Sequence, residues 1–553
     1  MGVLHNMESK DTKDVVVKDA TRASSEEDLA GPSYKMKDHW KSLAACTLVS
    51  MCPFQYGFDF GLISGLQAMV GFLSIFGYKD PQTQLGWNIS TERQQLISSL
   101  MTLGAFISSS FAGPIAKFMG RRGCIWSAAV LCAAANIIMM ASTNIGAIYV
   151  GRFVIGLANG MFMTFSQLYI QESIPARYRG LMISSFQVWT SVGSLVGTIV
   201  DNFTSKILTR ESYLIPLGLV FVIPTFMSVG LLFIPESPRW LLEHGHREKA
   251  LKSLLWLRPY GQHEAEEEVK DIQEALEKEM KIKKSAGAKD MFTNPSDRRR
   301  TVLAILSITL QGASGAMYMI AYGTYFFEMA NIGNSFENSC ILTAVGVIAI
   351  LVNSAVITHI GRRRIFLIVG MFLCGLTQLL TAIIYTIQPG TVSTGRAIVG
   401  LSVVYIMGYN GMVATYAWIS GGELPSQRLR SYTFGLATSI GFFAAWLATF
   451  TAPYFINPES LNWGPKYGFI WVGPCWLGAI WVFFFLPEVK DRTLEEIDEM
   501  FEARVPARKF RKYVCVGRAG RDAEKKTEEV VEHAEEVVWS DGKAATEAAN
   551  AIA

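Results

Sequence analysis

Two charged residues stand where charge is costly. Asp59 and Arg152 each interrupt a long apolar block, at 43–70 and 147–170. At ~1.5 Å of helix rise per residue, about 16 residues into the first block and about 5 into the other, entered from opposite sides, bring both to a similar depth. A carboxylate and a guanidinium at equal depth can pair, and an intramembrane carboxylate is by default part of a pathway or proton relay. The separation from Arg152 would then decide whether Asp59 is charged, and a proton on Asp59 would release Arg152 and loosen one helix against the other. The plainer reading is a structural ion pair that locks the helices together. Gln55 lies one helical turn before Asp59 on the same face. The sequence has no metal-ligand cluster, nucleophile motif or phosphate-binding loop. No catalytic residue, metal or cofactor is expected, and a membrane enzyme is disfavoured.

The elements that must position these residues follow from hydropathy. Half of the 553 residues are hydrophobic and 18% are charged. A helix needs about 20 apolar residues to cross the hydrocarbon core, where only helices or closed barrels satisfy their backbone. Blocks of this kind occur at 43–70, 93–116, 123–143, 147–170, 181–200 and 212–234, then at 301–327, 339–358, 365–387, 396–420, 433–455 and 469–487. The reading is an all-α polytopic membrane protein with twelve transmembrane helices. Basic residues cluster in alternate loops, at Lys117, Arg121, Arg122, Arg177, Arg179, Arg298 to Arg300, Arg362 to Arg364, Arg428 and Arg430. By the positive-inside rule these loops and both termini are cytoplasmic. The sequons at Asn88 and Asn202 then fall outside and are candidate glycosylation sites. The basic residues sit in loops beside helices, which suggests a lipid bilayer and no nucleic acid as partner.

The chain is also written twice. GRR at 120–122 returns at 361–363, GRFVIGL at 151–157 as GRAIVGL at 395–401, ESIPARYRG at 172–180 as GELPSQRLRS at 422–431, and PESPRW at 235–240 as PEVKDR at 487–492. Repeats in the same orientation imply two six-helix bundles related by an axis along the membrane normal, with a substrate site between them near the midplane. The expected division is a disordered tail at 1–42, bundles at 43–234 and 301–487, an amphipathic linker at 235–300, and a cytoplasmic tail at 488–553. In the linker, Leu251, Leu254, Leu255, Val269, Ile272 and Leu276 recur at helical spacing. The chain from about 502 is charged and Ala-rich and reads as disordered. The spacing of Gly193 and Gly197 suggests close helix packing.

These motifs, with YGFD at 56–59, PESPRWLL at 235–242 and LPEVKDRT at 486–493, resemble those of the sugar porters of the major facilitator superfamily over residues 43–505. Within that family, YGTYFFEMANI at 322–332 and ELPSQRLRSYT at 423–433 are most similar to fungal α-glucoside (maltose-type) permeases. The resemblance implies the major facilitator fold and a sugar as substrate. It implies proton coupling through Asp59 and Arg152, since proton symporters of the family have Asp and Arg there. It further implies a cytoplasmic latch of salt bridges across the halves, from Arg121, Arg122, Glu172, Arg179, Glu236, Arg239, Arg362, Glu423, Arg430 and Glu488. Lys117-Phe118 and Thr358-His359 replace the Asp-Arg of the family loop, so the latch is expected to be weaker or wired differently.

Sugars are recognised by side-chain amides over an aromatic floor. Gln187 and Gln311 match the family's sugar-binding glutamines and Trp418 its tenth-helix aromatic; Gln55 and Tyr322, with Tyr318 and Tyr416, are further candidates. Gly312, Met317, Gly346 and Ala445 stand where glucose carriers have polar residues. At about 1 kcal/mol per lost hydrogen bond this argues against simple glucose. It suits a disaccharide or a less polar sugar-like metabolite. The expectation is a monomeric, proton-coupled sugar importer of the cell membrane. Export of a sugar-like metabolite and a non-transporting sensor are the alternatives.

Overall fold

In a computed structural model, the described residues are 39–515, apart from 82, 84, 175, 260, 286–288, 330–332, 360–361, 427, 491 and 493. All twelve predicted blocks lie on helices, which we number one to twelve. Helix one runs through Trp40–Ser50 and Cys52–Leu66, with Pro53 in the first turn of the second segment, and turns by 76° into Val70–Phe76. Helices two to six are Thr91–Ser110, Ala112–Ala141, Ile145–Ser173, Ala176–Thr204 and Glu211–Phe233. Helices seven to twelve are Pro295–Glu328, Ser335–His359, Arg363–Ile387, Val392–Glu423, Arg430–Ile456 and Gly468–Phe485. Among the described residues nine of these are long and apolar enough to span a bilayer, and ten if helix one with its bent extension counts as one. Helix two falls short because Ser, Thr and Gln interrupt it, and helices two and five both pack at the junction of the two halves.

Helices one and five meet backbone to backbone. A Cβ on Gly57 would stand 1.8 Å from the Thr190 carbonyl oxygen, and one on Gly193 would stand 2.1 Å from that of Phe54. Small residues therefore set this contact, as the Gly193 to Gly197 spacing predicts. Helix seven breaks at Ser314-Gly315, where Gly315 has φ +78°. The break frees the Ser314 carbonyl, which accepts from Gln378 Nε2 at 2.8 Å and from the Tyr405 hydroxyl at 3.0 Å. Neighbouring side chains thus satisfy the interrupted ladder, which allows irregular backbone at membrane depth.

Between the halves, Pro238–Glu243, Arg247–Leu257 and Gln262–Ser285 form helices. Leu251, Leu254, Leu255, Val269, Ile272 and Leu276 share one apolar cluster, as their spacing predicts. Arg258 ties this linker to the first half, donating to the Ser173 carbonyl at 2.8 Å and pairing with Glu268 at 3.0 Å. The expected disorder from about 502 is corrected for the described residues. Val505, Ala507, Phe510 and Cys515 are buried, and Arg299 donates to the Val505 carbonyl while its guanidinium lies over Phe501 and Phe510. Cation–π contacts and apolar burial hold a segment that composition alone reads as solvated.

Candidate functional site

A cavity of about 170 Å³ lies between the halves. Helix one contributes Tyr56, Gly57, Phe60, Gly61 and Ser64 to its wall, one face at helical spacing. Helix five contributes Gln187, Thr190, Ser191, Ser194 and Thr198; Gln311, Met317, Asn410 and Trp418 come from the second half. Three amides, a row of hydroxyls, and thioether and aromatic surface converge there. Such a wall suits a solute with both hydroxyls and apolar faces.

Local backbone positions these groups. Helix ten opens into a wide π turn at Tyr409–Ala414. The turn brings Tyr409 and Asn410 to the wall, and its Ala414 carbonyl accepts from Gln311 Nε2 at 2.9 Å. Asn410 is absent from the sequence expectation. Its amide sits where a side chain on Gly346 would be, 2.6 Å from a Cβ there. An amide from helix ten thus occupies the room that the missing helix-eight side chain leaves.

Gln187, Gln311 and Trp418 line the cavity, but two other expected substrate residues do not. Gln55 is fully buried, and neither end of its amide has a hydrogen-bond partner among the described residues. The spacing that sets it beside Asp59 turns it off the cavity face. Tyr322 donates its hydroxyl to the Thr449 carbonyl at 2.7 Å on helix eleven. Tyr318 reaches Gln378, and Tyr416 stacks on Phe366.

Asp59 and Arg152 form a buried pair, with Arg152 Nη1 2.8 Å from Asp59 Oδ1. Asn159 donates to the other carboxylate oxygen at 3.3 Å. Arg152 also donates to the Ile97 carbonyl and to Met101 Sδ on helix two. The pair therefore connects helices one, two and four behind the cavity wall.

The ion pairs at the linker end are wired within each half. Arg121 pairs with Glu172 at 2.8 Å, and the Arg121 and Arg122 backbone amides donate to Glu236. Burial pushes the Glu236 carboxyl above its usual range, opposed by these amide bonds and that of Ser237. In the second half Arg363 pairs with Glu423 at 2.7 Å, and the Arg364 amide donates to Glu488 at 3.1 Å. The repeat register is thus Arg121 with Arg363, one residue later than the GRR match suggests. Arg362 instead precedes helix nine as its N-cap residue. Arg430 is exposed, Arg239 is half-buried, and Arg428 pairs with Asp297. The Arg179 side chain lies outside the described residues. Arg121–Glu172, Arg363–Glu423 and Arg428–Asp297 each stay within one half, and the latch across the halves remains an expectation.

At the opposite end hydrogen bonds do cross. Asn457 donates to the Ile89 carbonyl at 2.9 Å and to Gln94 at 3.1 Å, and the Thr91 amide donates to Glu459 at 2.7 Å. Asn88 is 1% exposed, donates to Asp80 and accepts from the Tyr325 hydroxyl. Its amide nitrogen is enclosed, so this fold has no room for a glycan there and the expectation for Asn88 is corrected. Asn202 is half-buried.

The comparisons with known proteins agree with this architecture. Residues 45–501 match the family described as "Sugar (and other) transporter". The low-affinity glucose transporter HXT1 of Saccharomyces cerevisiae is 29% identical over 494 residues, 86% of this chain and 84% of that protein. The maltose permease MAL31 of the same yeast is also 29% identical, over 92% of this chain and 83% of its own length. At equal identity, the two do not single out a maltose-type branch. Among solved structures, the proton:xylose symporter XylE bound to 6-bromo-6-deoxy-D-glucose superposes with a TM-score of 0.67. That match is 18% identical and covers 85% of this chain and all of that one, and it bears on the fold alone. The chain is a multi-span membrane protein of the major facilitator fold, and it belongs to the sugar transporter family, not to a family of enzymes.

Proposed function

We propose that this protein imports a sugar across the cell membrane by proton-coupled alternating access, working as a monomer. The observation that carries this reading is the cavity between the halves, where Gln187, Gln311 and Asn410 present amides beside Tyr409 and Trp418. Amides give and accept hydrogen bonds with hydroxyls, and aromatic faces cover the apolar side of a pyranose. Coupling is read from the Asp59–Arg152 pair, the carboxylate and guanidinium being buried together. A proton on Asp59 removes the charge that holds Arg152 and frees helix one to move against helices two and four.

Met163, Met317 and Met319 in the wall favour a second reading, export of a less polar sugar-like metabolite. The maltose-type branch is our preferred reading of the motifs at 322–332 and 423–433 for the importer. External alkalinisation by cells expressing the protein, on addition of maltose, glucose, xylose or a polyol in turn, tests import. A proton-uptake signal for one sugar, lost in Asp59→Asn, is expected. Silence with every sugar while the protein is at the surface would favour export. Asp59→Asn should abolish accumulation against a gradient while sparing exchange; retained accumulation would remove the coupling role. Gln187→Ala should raise the apparent KM several-fold, at about 1 kcal/mol per lost hydrogen bond, with unchanged surface abundance.

A further inference from the structure

A second carboxyl group lies inside the first bundle. Asp201, near the end of helix five, is 1% exposed, and among the described residues no side chain donates a hydrogen bond to either of its oxygens, the Gly65 backbone amide being the donor that faces it. On helix one its neighbour is Gly65, where a Cβ would stand 2.1 Å from Asp201 Oδ2. On helix eight its neighbour is Cys340, whose thiol donates to the Thr198 carbonyl at 3.3 Å, with Glu337 about one turn before it. The nearby cations point elsewhere: Lys206 is exposed, and Arg210 donates to the Tyr213 hydroxyl and the Met140 carbonyl. Glu211, at the start of helix six, is exposed.

The contrast with Asp59 is chemical. Asp59 has a guanidinium and an amide; Asp201 has a glycine, a thiol and helix backbone. A carboxylate buried without a cation is costly even beside a backbone amide, and a neutral carboxyl far less so. Its place bears on what that proton does. Thr198, one turn before Asp201, lines the cavity and bonds Thr343 of the other half at 2.9 Å. Ser64, one residue from Gly65, bonds Thr324 across the same junction. Asp201 therefore sits directly behind the hydroxyl contacts that close the cavity at the end away from the linker.

We propose that Asp201 is a proton-binding site, distinct from the Asp59–Arg152 pair, that holds its proton while the Thr198–Thr343 contact is closed and releases it to water when that contact opens. The proposal rests on the alternating-access reading above, and not on Asp59 being the coupling acid. On opening, the carboxyl O–H breaks, the proton passes to water, and the carboxylate gains the hydration that burial denies it.

Infrared spectra of the purified full chain in liposomes test this. Wild type and Asp59→Asn should both show a protonated-carboxyl band at neutral pH, and Asp201→Asn should lack it. Labelling aspartate with carbon-13 in the wild type should shift the band, which separates aspartate from glutamate without any substitution. In the variant Asn457→Ala/Glu459→Ala, built to open that end, the band should disappear at a lower pH than in the wild type. A band unmoved by aspartate labelling, one retained in Asp201→Asn, or one with the same pH dependence in the opened variant would overturn the proposal. Accumulation retained by Asp59→Asn would remove the Asp59 coupling role and leave the band untouched.

Discussion

At the linker end, Arg121–Glu172 and Arg363–Glu423 each tie together helices of a single half. At the opposite end, Asn457, Glu459 and Ser460 of the second half bond Ile89, Thr91 and Gln94 of the first. Towards the linker end the described hydrogen bonds between the halves reduce to one between the exposed Ser110 and Ser439 hydroxyls. Buried ion pairs are expensive to break because each partner is left uncompensated. Hydrogen bonds at an edge exchange readily with water, at about 1 kcal/mol each. The difference separates two tasks. Charges make each bundle a rigid body, while exchangeable bonds join the bodies at the end that must part.

The largest effect is expected at the ion pair of the first half. The Arg121 and Glu172 side chains are 10% and 9% exposed. Glu172→Ala leaves Arg121 buried with its main partner gone and should cost roughly 3–5 kcal/mol. The checks are the thermal midpoint of the purified protein and its surface abundance; an unchanged midpoint would mean that this charge does not hold the bundle. The matching pair is more open, with Arg363 at 16% and Glu423 at 27%. Glu423→Ala should therefore cost less, about 2–3 kcal/mol, between the values for buried and exposed pairs. A cost equal to that of Glu172→Ala would show that exposure does not set the difference between the halves.

How much of this the chain discloses depends on which force fixes each feature. Transfer from water sets the twelve helices, so apolar blocks find them, including helices two and five, whose hydroxyls mark the junction. Gln187, Gln311 and Trp418 are legible through the family resemblance, as polar or amphipathic residues standing in apolar surroundings at matching positions. Asn410 is not, because the π turn adds a residue to the helical repeat and changes the face it presents. Three consecutive arginines at 362–364 leave the register of the repeat open. It is settled by which guanidinium reaches Glu423 and which amide reaches Glu488. Asp201 stands one residue past the predicted end of helix five, and only folding reveals that Gly65 packs against it and that Cys340 reaches the Thr198 carbonyl one turn before it.

The smallest effect belongs to the end that parts, and it should appear in the conformational equilibrium while the fold stays intact. Asn457 is buried and makes two bonds to the first half, to the Ile89 carbonyl and the Gln94 side chain. Asn457→Ala removes both, but opening of that end lets water replace them, so the loss falls on the closed form. The expected shift is roughly 1–2 kcal/mol, or about five- to thirty-fold in the ratio of closed to open forms. Spin labels at the exposed Leu208 and Leu461, one on each half, would report it as a growing population of longer distances. The thermal midpoint should move less than in Glu172→Ala. An unchanged distance distribution with a lowered midpoint would reverse the assignment, making Asn457 part of the rigid framework and leaving the parting of the halves to other contacts.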